Sequence, residues 1–322
     1  MTIEAGIRGL AMGDAYSPQS SIHRLNLVGA RRVRRFQILN TVASQNRHTT
    51  RAEPYVNSYS PELLKPRPSD DCEWFYFAYT IAKGKISFAD EWKKLAEIRE
   101  TLLARAGTHA ALRNISNGKT APDSGHDNTH YFDNISLIHA VAVASIPEMS
   151  AADIQSVLIE DLSFTHSEDG IWCAQALAEL TFHLRAGTNF ETAFSAANKY
   201  LPEGSWSLRE VNRALKITEN LEDELVRVQA LEEHFVDRIY AFPYSAPETL
   251  GLLLSHLRFF KDPMKFFTSS FLHGRNTDSL PPLMGFFAGL LGGDNWMPSE
   301  WRNDTIILDG VCIPSLKGSK LI

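Results

Sequence analysis

Two short acidic motifs carry the chemistry that can be read from this chain. Ser69-Asp70-Asp71 follows Pro66-Arg67-Pro68, and Asn276-Thr277-Asp278-Ser279 follows Gly274 and Arg275. Each sets hydroxyl and carboxylate oxygens side by side at the predicted start of a helix. Hard cations such as Mg²⁺ take oxygen ligands of this kind. The two clusters together could hold a pair of ions, position a water and stabilise developing negative charge. A plainer reading stands beside this one. Ser-Asp-Asp is also a good helix N-terminus, with a hydroxyl to cap it and acids to complement the helix dipole.

The elements that must position these motifs are almost all helical. Large apolar residues fall on a helical stripe over 71–83, directly after the first motif. The pattern predicts further helices over 87–106, 133–146, 150–163, 170–186, 189–200, 207–218, 221–236, 246–260 and 279–292. Ser150 and Thr188 stand at helix starts, and Ser207 with Glu210 forms a capping-box pattern. Residues 305–313 (TIILDGVCI) are the only β-like run. Intervals 48–68 and 114–131 read as loops. Without repeats or a low-complexity linker, the expected architecture is all-α, one domain over 1–322.

Composition bounds the rest. The 322 residues are 44% hydrophobic and 22% charged, enough for a large core. The net charge of −6 argues against a nucleic-acid binder. The basic run Arg31-Arg32-Val33-Arg34-Arg35 therefore reads as a solvated helix face. Cys72, Cys173 and Cys312 make no CxxC pair and no disulfide framework. The opening residues lack a basic start followed by a long apolar run, and no apolar stretch reaches membrane-spanning length. A cytoplasmic location, with no membrane partner, is the expectation. His126 and His130 have HxxxH spacing, but their surroundings read as a loop and no third zinc ligand is evident. The acidic stretch 219–233 reads as an exposed helix face. No GxSxG elbow, P-loop or GxGxxG occurs.

A series of motifs resembles the ADP-ribosylglycohydrolase family. Ile7-Arg8-Gly9-Leu10-Ala11-Met12-Gly13-Asp14-Ala15 is similar to its opening helix, and Ser69-Asp70-Asp71 to its Thr/Ser-Asp-Asp. Phe164-Thr165-His166 is similar to its I-T-H motif, with the alanine-rich helix of Ala174, Ala176 and Ala178 behind it. Pro247-Glu248-Thr249-Leu250 resembles the helix before its last motif. Gly274-Arg275-Asn276-Thr277-Asp278-Ser279 resembles Gly-Gly-Asp-Thr-Asp-Thr/Ser. Gly285, Ala288, Gly289, Gly292, Gly293, Pro298 and Trp301 continue the series.

The resemblance implies an all-helical fold with two Mg²⁺ ions, Mn²⁺ being the other candidate. It implies cleavage at the anomeric carbon of ADP-ribose conjugates. Its metal ligands would be Ser69, Asp70, Asp71, Asn276, Asp278 and Ser279, and Asp70, Asp71 and Asp278 would orient the attacking water. Asp14, Tyr131, Phe132, Asn134 and His166 would contact an ADP-ribose-like or nucleoside-like substrate. The chain also departs from the pattern. Asn276 replaces an aspartate, which should weaken one ion. Ser21 stands where some members have a glutamate. Asp133 and Asn134 lie in a segment that has lost two glycines, and Asp133 is expected to add a repelling charge. Three functions therefore stay open: a glycohydrolase of ADP-ribosyl conjugates, a small-molecule N-glycoside hydrolase, and a non-catalytic ADP-ribose-binding or immunity-type protein.

Overall fold

The computed structural model describes residues 2–24, 67–237, 243–276 and 278–322, with the backbone alone for 18–24. The basic run at 31–35, most of the loop at 48–68 and the side chain of Ser21 lie outside the described residues.

Fifteen α-helices and no strand occur among the described residues. They are α1 (Ile3–Arg24), α2 (Asp70–Gly84), α3 (Phe88–Glu97), α4 (Ala106–Ser116), α5 (Asp123–His126), α6 (Ile135–Ala144), α7 (Ala151–Leu162) and α8 (Glu168–Arg185). The remainder are α9 (Phe190–Ala197), α10 (Trp206–Ile217), α11 (Glu224–His234), α12 (Ala246–Leu257), α13 (Pro263–Ser270), α14 (Leu280–Gly292) and α15 (Ser299–Asn303). The all-α expectation is met. One hydrophobic core runs from Ile7 to Ile313. The β-like run 305–313 makes only the isolated bridge Ile307–Lys320.

Helix by helix, sequence decides what is buried. Every residue of α6 and α12 is buried, as are Leu280–Leu290 of α14. These helices have almost no polar face, so they form the interior. Helix α3 is amphipathic instead: Phe88, Trp92, Leu95 and Ala96 are buried, while Asp90, Lys93 and Lys94 face solvent. A polar knot ties three helices together. Asp161 of α7 accepts from Trp92 Nε1 at 2.9 Å and lies 2.6 Å from His139 Nδ1 of α6.

Four sequence readings are corrected. The helix expected over 87–106 ends at Glu97, and a separate helix, α4, begins at Ala106. Between them, a 3₁₀ turn at Arg99–Thr101 and the extended Leu102 turn the chain. Asn189, not Thr188, caps α9 by accepting from Thr192 N. Ser205, not Ser207, caps α10 by accepting from Leu208 N, while Ser207 N donates to Asp169. Ser150 does cap α7, in a reciprocal box with Asp153. The stretch 219–233 is not wholly exposed either, because Arg227, Val228, Leu231 and Glu232 are buried.

Two contacts set the frame around the acidic motifs. Antiparallel helices α1 and α14 touch backbone to backbone. A Cβ on Gly9 would lie 2.0 Å from Gly285 O, one on Gly13 would lie 2.3 Å from Pro281 O, and one on Gly289 would lie 1.9 Å from Ala5 O. Only residues without a Cβ allow that approach. The second contact is a buried strap. Glu73 of α2 accepts backbone hydrogen bonds from Val311 (2.6 Å), Cys312 (2.8 Å) and Ile313 (2.7 Å). Gly9→Ala and Gly285→Ala should each destabilise the fold by about 3 kcal/mol or more, because the added methyl meets immobile backbone. Gly6→Ala meets only the Phe286 side chain and backbone at 3.1–3.3 Å and should cost clearly less. Urea unfolding of the three variants checks the order; equal losses would mean the helices separate freely.

Candidate active site

The two acidic motifs, 208 residues apart in the chain, meet: Ser279 Oγ donates to Asp71 Oδ1 at 3.1 Å. Each stands at the N-terminus of a helix, α2 and α14. Other helix N-termini arrive at the same place. Arg105 immediately precedes α4, Asp133 and Asn134 precede α6, and Thr249 lies in the first turn of α12. The partial positive charge of such ends favours acidic neighbours, so the clustering of carboxylates has a backbone cause.

Asp14 joins from α1. Its Oδ2 accepts from Ser69 N at 2.6 Å and Cys72 N at 3.0 Å, and its Oδ1 accepts from Ser69 Oγ at 2.5 Å. It therefore satisfies two backbone donors at the start of α2 from another helix, while Ser69 itself makes no cap bond. Burial, then the Asp70 carboxylate, pushes Asp14 up to about 7. Burial also raises Asp70, Asp71 and Asp133 above the usual carboxylate range. Asp71 is fully buried, whereas the side chains of Asp70 and Asp278 stay 20% and 28% exposed. The site therefore opens to solvent along Asp70 and Asp278.

Asp14, Asp70 and Asp71 can bring one oxygen each within 4.8 Å of one another, a group that could hold a metal ion. The buried Asp71 Oδ2 has no hydrogen-bond partner. A carboxylate oxygen without a donor in the interior is costly, and a cation beside it would relieve that cost. The donor set fits one cation.

The second motif is arranged differently. Asn276 has a left-handed backbone (φ 54°) and is buried. Its Oδ1 lies 2.7 Å from the Thr249 hydroxyl and its Nδ2 donates to Glu248 Oε1 at 2.5 Å. The amide is thus engaged with α12. Asp278 and Ser279 do join the cluster, but as partners of a cation that the sequence reading did not single out. Arg105 Nη2 donates to Asp278 (2.8 Å), Ser279 Oγ (2.9 Å) and Asp71 (3.3 Å); its Nη1 donates to Asn134 Oδ1 (2.6 Å) and Asp133 (3.3 Å). Burial alone would lower this guanidinium. The carboxylates of Asp278, Asp71, Asp133 and Asp70 outweigh it and hold Arg105 charged.

The expected substrate residues divide. Residues 131–134 run past 244–246, with Asn134 N bonded to Tyr244 O and Ala246 N to Phe132 O, both at 2.8 Å. Tyr131 is half-buried and Phe132 is buried in edge contact with Trp206 at 5.1 Å. Phe132 is therefore covered by Trp206 rather than presenting an open face. Asn134 bridges Arg105 to Thr249, donating to Thr249 Oγ1 at 2.9 Å. Asp133 does not act as a loose repelling charge: it is buried, pairs with Arg105 and accepts from Ile135 N. His166 is buried, with its Nδ1 2.7 Å from Thr165 Oγ1 and its Nε2 without a partner. Burial, then His139, lowers it to about 3, so the ring is neutral. His126 is exposed at the end of α5, and among the described residues no zinc-type group includes it or His130.

Glu248 was quoted in sequence only as part of a motif, yet it anchors Asn276. Burial pushes it up to about 7 from 4.5, although Arg275 opposes the shift. A group raised on folding stabilises fully below its unfolded value and loses that contribution as pH rises through its folded value. Glu248→Gln keeps the acceptor for Asn276 and removes the ionisation. Its melting temperature relative to wild type should therefore improve as pH rises from 4.5 to about 7. A difference that stays flat across that window would show that Glu248 does not titrate there.

Three comparisons bear on this geometry. No curated protein sequence matches the chain. A solved structure described as an ADP-ribosylglycohydrolase-related protein complex is 17% identical and superposes with a TM-score of 0.57, covering 93% of this chain and 90% of its own. At that identity the likeness speaks for the fold. The ADP-ribosylglycohydrolase family model matches residues 3–309, from the start of α1 to the stretch just before the Glu73 strap. With nearly the whole length matched, the chain belongs to the ADP-ribosylglycohydrolase family.

Proposed function

We propose that the chain hydrolyses a glycosidic bond at the anomeric carbon of an ADP-ribosyl conjugate. The carrying observation is the meeting of Asp70, Asp71 and Asp278 at a partly open edge, with Asp14 closing the buried side. A divalent cation on Asp14, Asp70 and Asp71, Mg²⁺ or Mn²⁺, would supply Lewis-acid activation of water. The protein's own residues do the rest. Asp70 and Asp278, the two partly exposed carboxylates, face the entering water and stabilise positive charge at the anomeric carbon in an oxocarbenium-like state. Arg105 fixes the Asp278 carboxylate through a 2.8 Å charged hydrogen bond. Tyr131 is the half-buried ring suited to a base or ribose, and neutral His166 offers Nε2 as a hydrogen-bonding atom.

The pairing of Asp133 with Arg105 supports an ADP-ribosyl group, because a compensated carboxylate does not repel a pyrophosphate. A small ribonucleoside is favoured by one opposing observation: residues 131–134 carry side chains at every position beside the site, which narrows the approach.

The test is a panel of ADP-ribosyl-arginine, O-acetyl-ADP-ribose, NAD and simple nucleosides with Mg²⁺, read by mass spectrometry. Release of ADP-ribose or ribose from at least one is expected. Asp71→Asn, checked for retained helicity, should lower the rate about 100-fold or more by displacing the reacting groups. ADP-ribose binding with no turnover of any compound would overturn the hydrolase reading in favour of a binding protein.

Metal dependence has its own measurement. A chelator should abolish turnover and lower the melting temperature, since a ligand held only by the native state stabilises it. Turnover unchanged in chelator would remove the cation from the reaction. Asn276→Asp should not tighten metal binding, because it would place a carboxylate against Glu248; calorimetry with Mn²⁺ checks this.

A further inference from the structure

We propose that the Arg105 guanidinium is the resident cation between the two acidic motifs. It takes the place of a second divalent ion and leaves the site with a single metal position, at Asp14, Asp70 and Asp71. The inference rests on reading this site as a cation-assisted one and concerns how many ions it takes.

The geometry carries the argument. One nitrogen, Arg105 Nη2, lies 2.8 Å from Asp278 Oδ2, 2.9 Å from Ser279 Oγ, 3.3 Å from Asp71 Oδ1 and 3.7 Å from Asp70 Oδ2. These oxygens come from both motifs, so a nitrogen stands where an ion shared by the motifs would stand. A hard divalent ion draws its oxygens to about 2.0–2.6 Å and needs about six of them. A charged nitrogen and such an ion cannot occupy the same position among these oxygens. Arg105 is also well held. Its side chain is 9% exposed. Its guanidinium lies 5.0 Å from the centre of the Tyr244 ring, and its other terminal nitrogen is held by Asn134 and Asp133. Its backbone is fixed at the entry to α4, where Arg105 O accepts from His109 N. Two residues earlier, Leu103 N bonds to Cys312 O, in the segment held by Glu73.

The donors left over point to one ion, not two. Asn276, the remaining oxygen donor of the second motif among the described residues, is committed to Thr249 and Glu248. Asp14 makes no contact with Arg105, and Asp71 Oδ2 is buried without a partner. The unspent buried oxygen therefore lies with the first motif, beside Asp14 and Asp70. Charge agrees: four carboxylates, Asp70, Asp71, Asp133 and Asp278, surround one guanidinium, and Asp14 stands beside Asp70 and Asp71. A site with that surplus still attracts a cation after Arg105 is counted.

The experiment counts Mn²⁺ on the full chain by electron paramagnetic resonance of the unbound ion during titration. Wild type should take up about one Mn²⁺ per chain. Arg105→Gln, which removes the charge but keeps hydrogen-bonding atoms, should take up about two. Arg105→Lys retains the charge and should stay at about one. Two ions in wild type, or none, would overturn the proposal. So would a folded Arg105→Gln that still holds one. If Arg105→Gln loses its helical circular dichroism, Arg105→Lys decides with wild type, and two ions in either sinks the idea. Counting ions does not use turnover. A protein that binds one ion and hydrolyses nothing would sink the hydrolase reading alone, and an active protein that binds two would sink this one alone.

Discussion

The contact between α1 and α14 is the constraint on which the site depends. Backbone meets backbone at Gly9, Gly285 and Gly289, so the axes of the two helices are fixed without adjustable side chains between them. Asp14 lies at one end of that contact and Asp278 at the same end of the partner helix. Ser17 Oγ, one turn beyond Gly13, bonds to Asp278 O at 2.9 Å and closes the gap. Asp14 in turn supplies the hydrogen bonds that begin α2. A shift of α1 would therefore move both acidic motifs together, which couples packing to chemistry in one element.

Around that frame, several helix starts point at one small volume. Their aligned peptide dipoles make it favourable for carboxylates, and burial makes it unfavourable. Burial raises Asp14, Asp70, Asp71 and Asp133, for the last three against the opposing pull of Arg105. Such a centre could hold a cation, because its carboxylates outnumber the one guanidinium among them. The pairing with Arg105 is also why Asp133, which in isolation would repel a phosphate, is compensated by position.

Much of this was legible in the chain. The helical stripe after Asp71 and the helices expected over 133–146 and 279–292 were legible from periodicity, and the glycines of α1 and α14 from the family resemblance. Ser69-Asp70-Asp71 and Asp278-Ser279 do come together as the motif reading requires. Arg105 was not legible. It sits in Leu103-Ala104-Arg105-Ala106-Gly107, which continues a helical pattern, and nothing local marks the break at Leu102. Its partners, Asp71, Asn134 and Asp278, are 34, 29 and 173 residues away. Asn276 is a different case. Its type suggested a weak ligand, but its left-handed backbone and the neighbouring Glu248 turn its amide elsewhere, and neither is visible in residue order. Phe132 shows an ambiguity of type: an aromatic suited to stacking on a ligand is equally suited to packing, and here it lies against Trp206.

The strap beneath α2 bears on the order in which the molecule can assemble. Glu73 stands two residues after Asp71, and the backbone donors that satisfy it come from 238 to 240 residues later. During synthesis, α2 emerges long before its partners do, carrying a carboxylate that cannot be buried without them. Contacts this distant in sequence close late. The floor under the first acidic motif is thus laid by one of the last parts of the described chain to be made. Until residues 311–313 dock, the helix that presents Asp70 and Asp71 lacks the donors that let its inner face dehydrate. Helix α2 accordingly gains its buried partners for Glu73 only once residues 311–313 have been made.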